Sequence, residues 1–129
     1  LDVKLAHLDE STRRRDVIAR NYNMQLNGLP LVLPQNPTHD RAVHHLYVVE
    51  SSKRDAVMAG LRELNIGCDI HYPLPTHHQP IYTQYAPRRP LPVTDRMAKN
   101  VFSLPNFPEL SDTEVAQVVR AVRQVVSAL

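Results

Sequence analysis

The sequence predicts an α+β fold, an α/β sandwich in which helices pack on a small mixed or antiparallel sheet of about three strands. Three observations support this prediction. Segments with helical apolar spacing alternate along the chain with shorter, strand-like segments. A chain of 129 residues with 43% apolar content can bury one hydrophobic core. The predicted order is helix, strand, helix, strand, loop, helix, short strand, helix, which suits helices that cover a sheet.

Residues 1–28 are predicted to form a long helix. Residues 9–16 contain no apolar side chain, so either two helices meet there or one helix has an exposed polar waist. Gly28 and Pro30 then end the helix, because glycine accepts the left-handed conformation common at helix C-termini. A helix already under way at residue 1 leads us to expect an upstream domain. The apolar positions with helical spacing are Leu1, Leu5 and Leu8, followed by Ile18, Tyr22 and Leu26.

A loop, a strand and a helix are predicted next. The loop covers residues 29–41 and contains three prolines. Residues 43–49 carry apolar groups on both faces, which favours an interior strand. Ser52 is expected to cap the following helix, with Asp55 at its third position. The buried stripe of that helix is predicted to be Val57, Leu61 and Leu64.

A second strand and a long loop follow this helix. Residues 66–72 alternate apolar with other side chains, which predicts a strand that places His71 and Tyr72 on opposite faces. Six of the eleven prolines lie between residues 73 and 92, and repeated proline argues against both a helix and a central strand there. A loop of roughly twenty residues in a small domain is generally functional or disordered. Three of the five tyrosines lie between Tyr72 and Tyr85, which favours an ordered, functional loop.

The C-terminal part is predicted to contain a helix, a short strand and a final helix. Thr94 or Asp95 starts the first of these helices, and residues 102–104 form the strand. Ser111 and Glu114 have the spacing of a capping box, which places the start of the final helix. Its apolar face begins with a staple between Leu110 and Val115 and continues through Val118, Val119, Val122, Val126 and Leu129.

The composition argues against several classes of protein. A net charge of +2 without a basic stripe argues against nucleic-acid binding. The single cysteine, Cys68, excludes an internal disulfide and fits a reducing compartment, so we expect a cytoplasmic protein. Apolar runs stay well below the about twenty residues that a membrane span needs. The sequence contains neither a glycine-rich phosphate loop nor a Gly-x-Ser-x-Gly elbow.

Seven histidines raise the question of a metal site. His44 and His45 would point in opposite directions on a strand, so they could not easily share one ion. An HExxH motif and a cysteine pair are both absent from the sequence, and we therefore predict no metal site. The residues alone indicate a globular domain whose polar loop can hydrogen-bond a sugar or phosphate at the rim of a pocket.

A set of short motifs stands in a fixed order along the chain. The segments are residues 3–10, 13–15, 21–22, 45–49 and 67–75, then His77, Gln79, Pro80 and Tyr82, and finally residues 103–105, 108–110 and the last predicted helix. In order and spacing, this set resembles the C-terminal domain of the DegT/DnrJ/EryC1/StrS family of sugar-nucleotide aminotransferases, fold-type I enzymes that use pyridoxal phosphate. The chain departs from the family pattern at His44, His78, Asn106 and Phe107.

The resemblance implies how the chain divides. Residues 1–28 would lead from an upstream large domain into a small C-terminal domain over residues 29–129. The family's pyridoxal lysine, and the carboxylate that pairs with the pyridine nitrogen, belong to the large domain. Lys4, Lys53 and Lys99 are the only lysines, and none stands at the family's Schiff-base position. The resemblance therefore implies that this chain contains no catalytic residue, is inactive alone, and leaves pyridoxal phosphate mainly to the missing large domain.

The resemblance also implies a substrate and a set of contacts. His71 and Tyr72 would bind the substrate, and His77 and Gln79 match the family as further contacts or braces of the loop. The parent would be a homodimer that moves an amino group from glutamate to a nucleotide-linked keto-sugar, in surface-glycan or natural-product biosynthesis. Two alternatives stay open, a non-catalytic sensor or regulator of the same fold and a stand-alone interaction domain. A lysine at the family position upstream would separate the enzyme from the sensor.

Overall fold

The computed structural model of the chain describes residues 2–35, 42–85 and 89–129. It confirms the predicted α+β class, with a long N-terminal helix and helices around a small antiparallel sheet. The α-helices are α1 (Asp2–Leu5), α2 (Leu8–Leu26), α3 (Arg54–Glu63), α4 (Pro92–Asn100) and α5 (Asp112–Ser127). The strands are β1 (Tyr47–Glu50) and β2 (Val101–Leu104), and the 3₁₀ helices span Thr76–His78 and Pro80–Tyr85.

The sheet consists of β1 and β2 in antiparallel pairing, with Tyr47 opposite Leu104. Isolated bridges extend it on both sides, one joining Val32 to Glu50 and the other joining Asp69 to Ser103. The prediction of a strand over residues 66–72 is therefore wrong, since this segment pairs with β2 at one residue. Its alternating sequence reflects alternating burial, which a segment lying along a sheet edge acquires without a continuous ladder.

β1 is shorter than predicted, because it begins at Tyr47 and not at residue 43. His44 has a φ of 46°, in the left-handed region that interrupts an extended strand. His44 and His45 thus precede the strand, and the argument that placed them on its two faces does not apply. The predicted loop over residues 29–41 is described as far as residue 35, and residues 36–41 lie outside the described part.

The core lies between β1, β2 and the helices α2, α3 and α5. α5 packs against α2 and α3, and α3 also contacts β2. Two buried tyrosines join α2 to the sheet, with the rings of Tyr22 and Tyr47 4.9 Å apart and tilted by 59°. Each hydroxyl has an acceptor, since Tyr22 donates to the Pro105 carbonyl at 2.8 Å and Tyr47 donates to Asn23 Oδ1 at 2.6 Å.

The N-terminal region forms two helices, but they do not meet within residues 9–16, as one of the two predicted alternatives had it. The break falls at residues 6–7, so the polar stretch 9–16 lies within a single helix, α2, as in the other alternative. That stretch is only partly exposed, because Thr12 is buried and Arg14 donates to the Leu110 carbonyl at 2.5 Å. α2 ends just before Gly28, whose φ of 82° confirms the predicted left-handed termination. Leu1, the first residue of the predicted stripe, lies outside the described residues.

Helices α3, α4 and α5 lie where they were predicted, although α3 and α4 begin at other residues than expected. α3 begins at Arg54 with Lys53 at the N-cap, so Ser52 is not the cap. α4 begins two or three residues earlier than predicted, at Pro92, a residue whose missing N–H suits the first helical turn. The capping box of α5 is confirmed by both of its hydrogen bonds, whereas Leu129 is 48% exposed and leaves the predicted apolar face.

Candidate functional site

His71 is anchored to the sheet by a side-chain hydrogen bond. Its Nδ1 lies 3.0 Å from Oγ of Ser103, and Ser103 is buried at the centre of the strand pairing. The backbone bridge between Asp69 and Ser103 brings the two segments together two residues earlier in the chain. Because both the backbone and the ring are attached to β2, His71 has a defined orientation although it precedes a long loop.

A groove of about 700 Å³ opens beside this histidine. Its volume falls within the range of small-molecule pockets, and its wall combines apolar side chains with a few polar groups. His71 and Ser103 contribute polar groups from one side. The other lining residues include Leu46, Cys68, Leu104, Asn106, Phe107 and Gln117.

Tyr72 does not line this groove. Its side chain is 76% exposed, and its ring meets the ring of His71 edge-on, with centroids 5.7 Å apart and an interplanar angle of 82°. The peptide bond between the two residues is cis. The predicted pair is thus divided, because His71 is held in the groove and Tyr72 presents its ring and hydroxyl to solvent.

His77 and Gln79 lie in the proline-rich loop, away from the groove lining. The loop contains two 3₁₀ helices, which the proline content had led us not to expect, and its residues 86–88 lie outside the described part. His77 Nε2 lies 3.0 Å from Asp95 Oδ1, so this ring ties the loop to α4. Gln79 ends the first 3₁₀ helix, and its N–H donates to the Thr76 carbonyl at 3.1 Å. The structure therefore brings together His71 and Ser103, and separately His77 and Asp95.

Sequence reasoning missed Ser103 and Asn106 as parts of the site. Asn106 is buried, and its Nδ2 donates to the His44 carbonyl at 3.1 Å, while its Oδ1 has no hydrogen-bond partner among the described residues. The departure from the family pattern at Asn106 was the available signal. Ser103 lies in a segment that matches the family, but that match did not reveal its contact with His71, which spans 32 positions of the chain.

Cys68 lines the groove but is poorly suited to act as a nucleophile. Burial is the largest effect and raises the pKa of its thiol, while the charge of Arg62 lowers that pKa and the carboxylate of Asp69, the smallest effect, raises it. Since the thiolate is the reactive form, a raised pKa leaves a weak nucleophile. Cys68 instead packs against the core as a small, partly buried apolar side chain.

The family model of the DegT/DnrJ/EryC1/StrS aminotransferases matches residues 1–123. The chain belongs to this family. The resemblance seen in the sequence motifs is therefore confirmed, and so is the fold that it implied.

Individual relatives agree with this assignment. The chain is 38% identical over 125 residues to the dTDP-3-amino-3,6-dideoxy-alpha-D-galactopyranose transaminase of Aneurinibacillus thermoaerophilus, covering 96% of this chain and 34% of that protein. It is 36% identical over 126 residues to the dTDP-3-amino-3,4,6-trideoxy-alpha-D-glucose transaminase of Streptomyces venezuelae, covering 96% of this chain and 33% of that protein. The chain thus spans about a third of the length of these relatives.

A solved structure gives the same picture in three dimensions. The crystal structure of S. venezuelae DesV in complex with a ketimine intermediate superposes with a TM-score of 0.94 at 35% identity, covering 99% of this chain and 35% of that one. The described residues contain no helix long and apolar enough to cross a membrane.

The groove does not by itself fit the family's cofactor. Covalent attachment of pyridoxal phosphate needs a lysine amine, and no lysine is among the residues that line the groove. Lys53 lies at the start of α3, where its amine donates to the backbone carbonyl of Leu129, and Lys99 lies in the last turn of α4.

Proposed function

We propose that the protein carrying this chain is a pyridoxal phosphate-dependent aminotransferase that moves an amino group from glutamate to a nucleotide-linked keto-sugar. The observation that carries the proposal is the family match over residues 1–123. Two relatives above 35% identity bear the names of dTDP-sugar transaminases, which supports this substrate class. We further propose a cytoplasmic homodimer that serves surface-glycan or natural-product sugar biosynthesis.

In this proposal, residues 29–129 form the C-terminal small domain, and residues 1–28 lead into it from a large domain upstream. The large domain holds the cofactor, its lysine and the carboxylate that pairs with the pyridine nitrogen. When bound, pyridoxal phosphate supplies the electron sink of the reaction. The absence of lysine from the groove lining supports this division. The chain of 129 residues would then be inactive by itself.

We assign substrate contacts first to His71 and Tyr72. Because one ring nitrogen of His71 is engaged by Ser103, the ring is oriented before a ligand arrives, and the other nitrogen can donate to or accept from a sugar hydroxyl or phosphate. Tyr72 offers an exposed apolar ring with a hydroxyl at its tip. His77 and Gln79 were candidates as well, and their contacts within the loop and with Asp95 favour the role of bracing it.

The visible absorption spectrum of the full-length protein, before and after addition of glutamate, tests the activity. We expect a pyridoxal–lysine band that converts to the amine form. A protein that binds no chromophore after incubation with pyridoxal phosphate would overturn the proposal and favour the sensor alternative.

Kinetics of matched variants test the residue roles. Tyr72→Phe should lower kcat/KM by about tenfold, which corresponds to about 1.4 kcal/mol of transition-state stabilisation, if its hydroxyl contacts the substrate. Tyr85→Phe is the control, since Tyr85 lies in the same loop and is 74% exposed, close to the 76% of Tyr72. His71→Ala, compared with His45→Ala, should have at least as large an effect. Equal kinetics in each pair would refute the assignments and leave the spectroscopic result untouched.

A further inference from the structure

Three potential metal ligands meet where the proline-rich loop contacts α4. His77 and His78 lie in the 3₁₀ helix Thr76–His78, and Asp95 lies in the first turn of α4. The Nε2 atoms of His77 and His78 lie 3.0 Å and 3.5 Å from the same oxygen of Asp95. All three ligand atoms lie within 4.8 Å of one another. This His77–His78–Asp95 cluster is separate from the groove beside His71.

We propose that this cluster binds a divalent cation of the Zn²⁺ type. Two imidazole nitrogens and one carboxylate oxygen form a donor set that zinc favours. With zinc–ligand bonds of about 2.0–2.1 Å, two ligands of a tetrahedral site lie about 3.3 Å apart. The two histidine–aspartate distances, 3.0 Å and 3.5 Å, bracket that value. Both histidine–aspartate spacings therefore suit a tetrahedral zinc site, and the two histidine ligand atoms lie within 4.8 Å of each other.

The exposure of the three residues suits an open site. The side chain of His77 is 14% exposed, that of Asp95 32% and that of His78 51%. The inner histidine is thus held by its surroundings, and the outer one leaves a path for the ion. Three protein ligands leave a fourth position for water, as in zinc sites that exchange a ligand.

The alternative role for the same residues is a hydrogen-bonded brace, in which both rings donate to the carboxylate. In a brace, the half-exposed position of His78 has no function, whereas a metal site needs all three ligands. Bound metal would join the loop to α4, because the ligands come from positions 77, 78 and 95 of the chain. The proposal stands independently of the aminotransferase activity, since it concerns neither Tyr72 nor the groove.

Zinc binding to the full-length protein, stripped of metal and titrated with Zn²⁺ against a chromophoric chelator, tests the proposal. Loss of a residue that only hydrogen-bonds to a metal ligand commonly lowers metal affinity about 10–100-fold. His78→Ala removes a ligand itself and should therefore lower the affinity for one zinc ion per chain by at least about tenfold. Asp95→Asn should have the same effect. His45→Ala removes an exposed histidine outside the cluster and should leave zinc binding unchanged.

Thermal melting of the same proteins provides a second readout. Zn²⁺ should raise the Tm of the wild type and of His45→Ala in a concentration-dependent manner, but not that of His78→Ala. His78 is half exposed, so its alanine variant should fold, and circular dichroism checks this. The proposal is overturned if the wild type binds no more zinc than His78→Ala. It is also overturned if Asp95→Asn lowers the metal-free Tm while zinc shifts none of the melts, the behaviour of a brace.

Discussion

Gly60 in α3 lies directly against Val125 in α5, where the two helices pack closely. A Cβ added at this glycine would lie 2.8 Å from Cγ1 and 3.0 Å from Cγ2 of Val125. Both distances are shorter than van der Waals contact, and the branched side chain of Val125 has little rotamer freedom within a helix. Gly60→Ala therefore forces the two helices apart or strains the core.

The magnitude follows from two opposing effects. Alanine in a helix interior gains about 0.8–1.0 kcal/mol over glycine. Overpacking of a well-filled core costs about 1–3 kcal/mol. We expect Gly60→Ala to lower the free energy of unfolding by about 1 kcal/mol, which lowers Tm by about 3–5 °C for a domain of this size.

Urea denaturation followed by circular dichroism measures this effect, since the sequence contains no tryptophan for fluorescence. Gly67→Ala is the matched control, because a Cβ there meets nothing within 4 Å, and it should be neutral or slightly stabilising. In the double variant with Val125→Ala, the two effects should couple favourably by about 1 kcal/mol, as expected for residues in contact. A Gly60→Ala protein as stable as Gly67→Ala would refute the close packing of α3 on α5.

Three further predictions concern the core, a helix cap and pH. Tyr47→Phe removes the hydroxyl that donates to Asn23 at 2.6 Å and should destabilise the fold by about 1–2 kcal/mol in urea denaturation, with unchanged far-ultraviolet circular dichroism. Ser111→Ala removes the capping box of α5 and should lower the unfolding free energy by about 1 kcal/mol, whereas Ser52→Ala, outside any cap, should change it little. Hydrogen bonds to their carboxylates hold the pKa values of Glu50 and Glu114 below the ordinary 4.5. The stabilisation of the folded state by these two carboxylates is therefore complete above pH 4.5 and is lost as the pH falls through the lowered pKa values. Melting curves recorded over a series of acidic pH values measure this loss as a fall in Tm.

The elements that could be predicted from sequence are those with local causes. The capping box at Ser111 and the helix end at Gly28 depend on residues within a few positions of each other, and the structure confirms both. Residues 66–72 show the limit of this approach, because the alternating pattern was real but the backbone pairing was not. Pairing depends on how the neighbouring strand runs, and here β2 meets the segment only at Asp69.

The candidate site shows the same division. His71 could be selected from its motif; the structure places it beside a groove, and its contact with a substrate stays a prediction. Its partner Ser103 could not be selected, since the contact joins residues 32 positions apart. The meeting of His77 and His78 with Asp95 was likewise hidden, because the sequence shows neighbouring histidines but not which carboxylate faces them.

By itself, the sequence determined the class of fold, the helices with strong amphipathic stripes and the membership of an aminotransferase family. These depend on residue type and on short spacings, which a chain carries before it folds. Only the tertiary structure decided that the sheet has two paired strands within the described residues, that Ser103 orients His71, and that a loop and a helix bring His77, His78 and Asp95 together. Such contacts form between distant segments, and their geometry follows from how α2, α3 and α5 pack around β1 and β2.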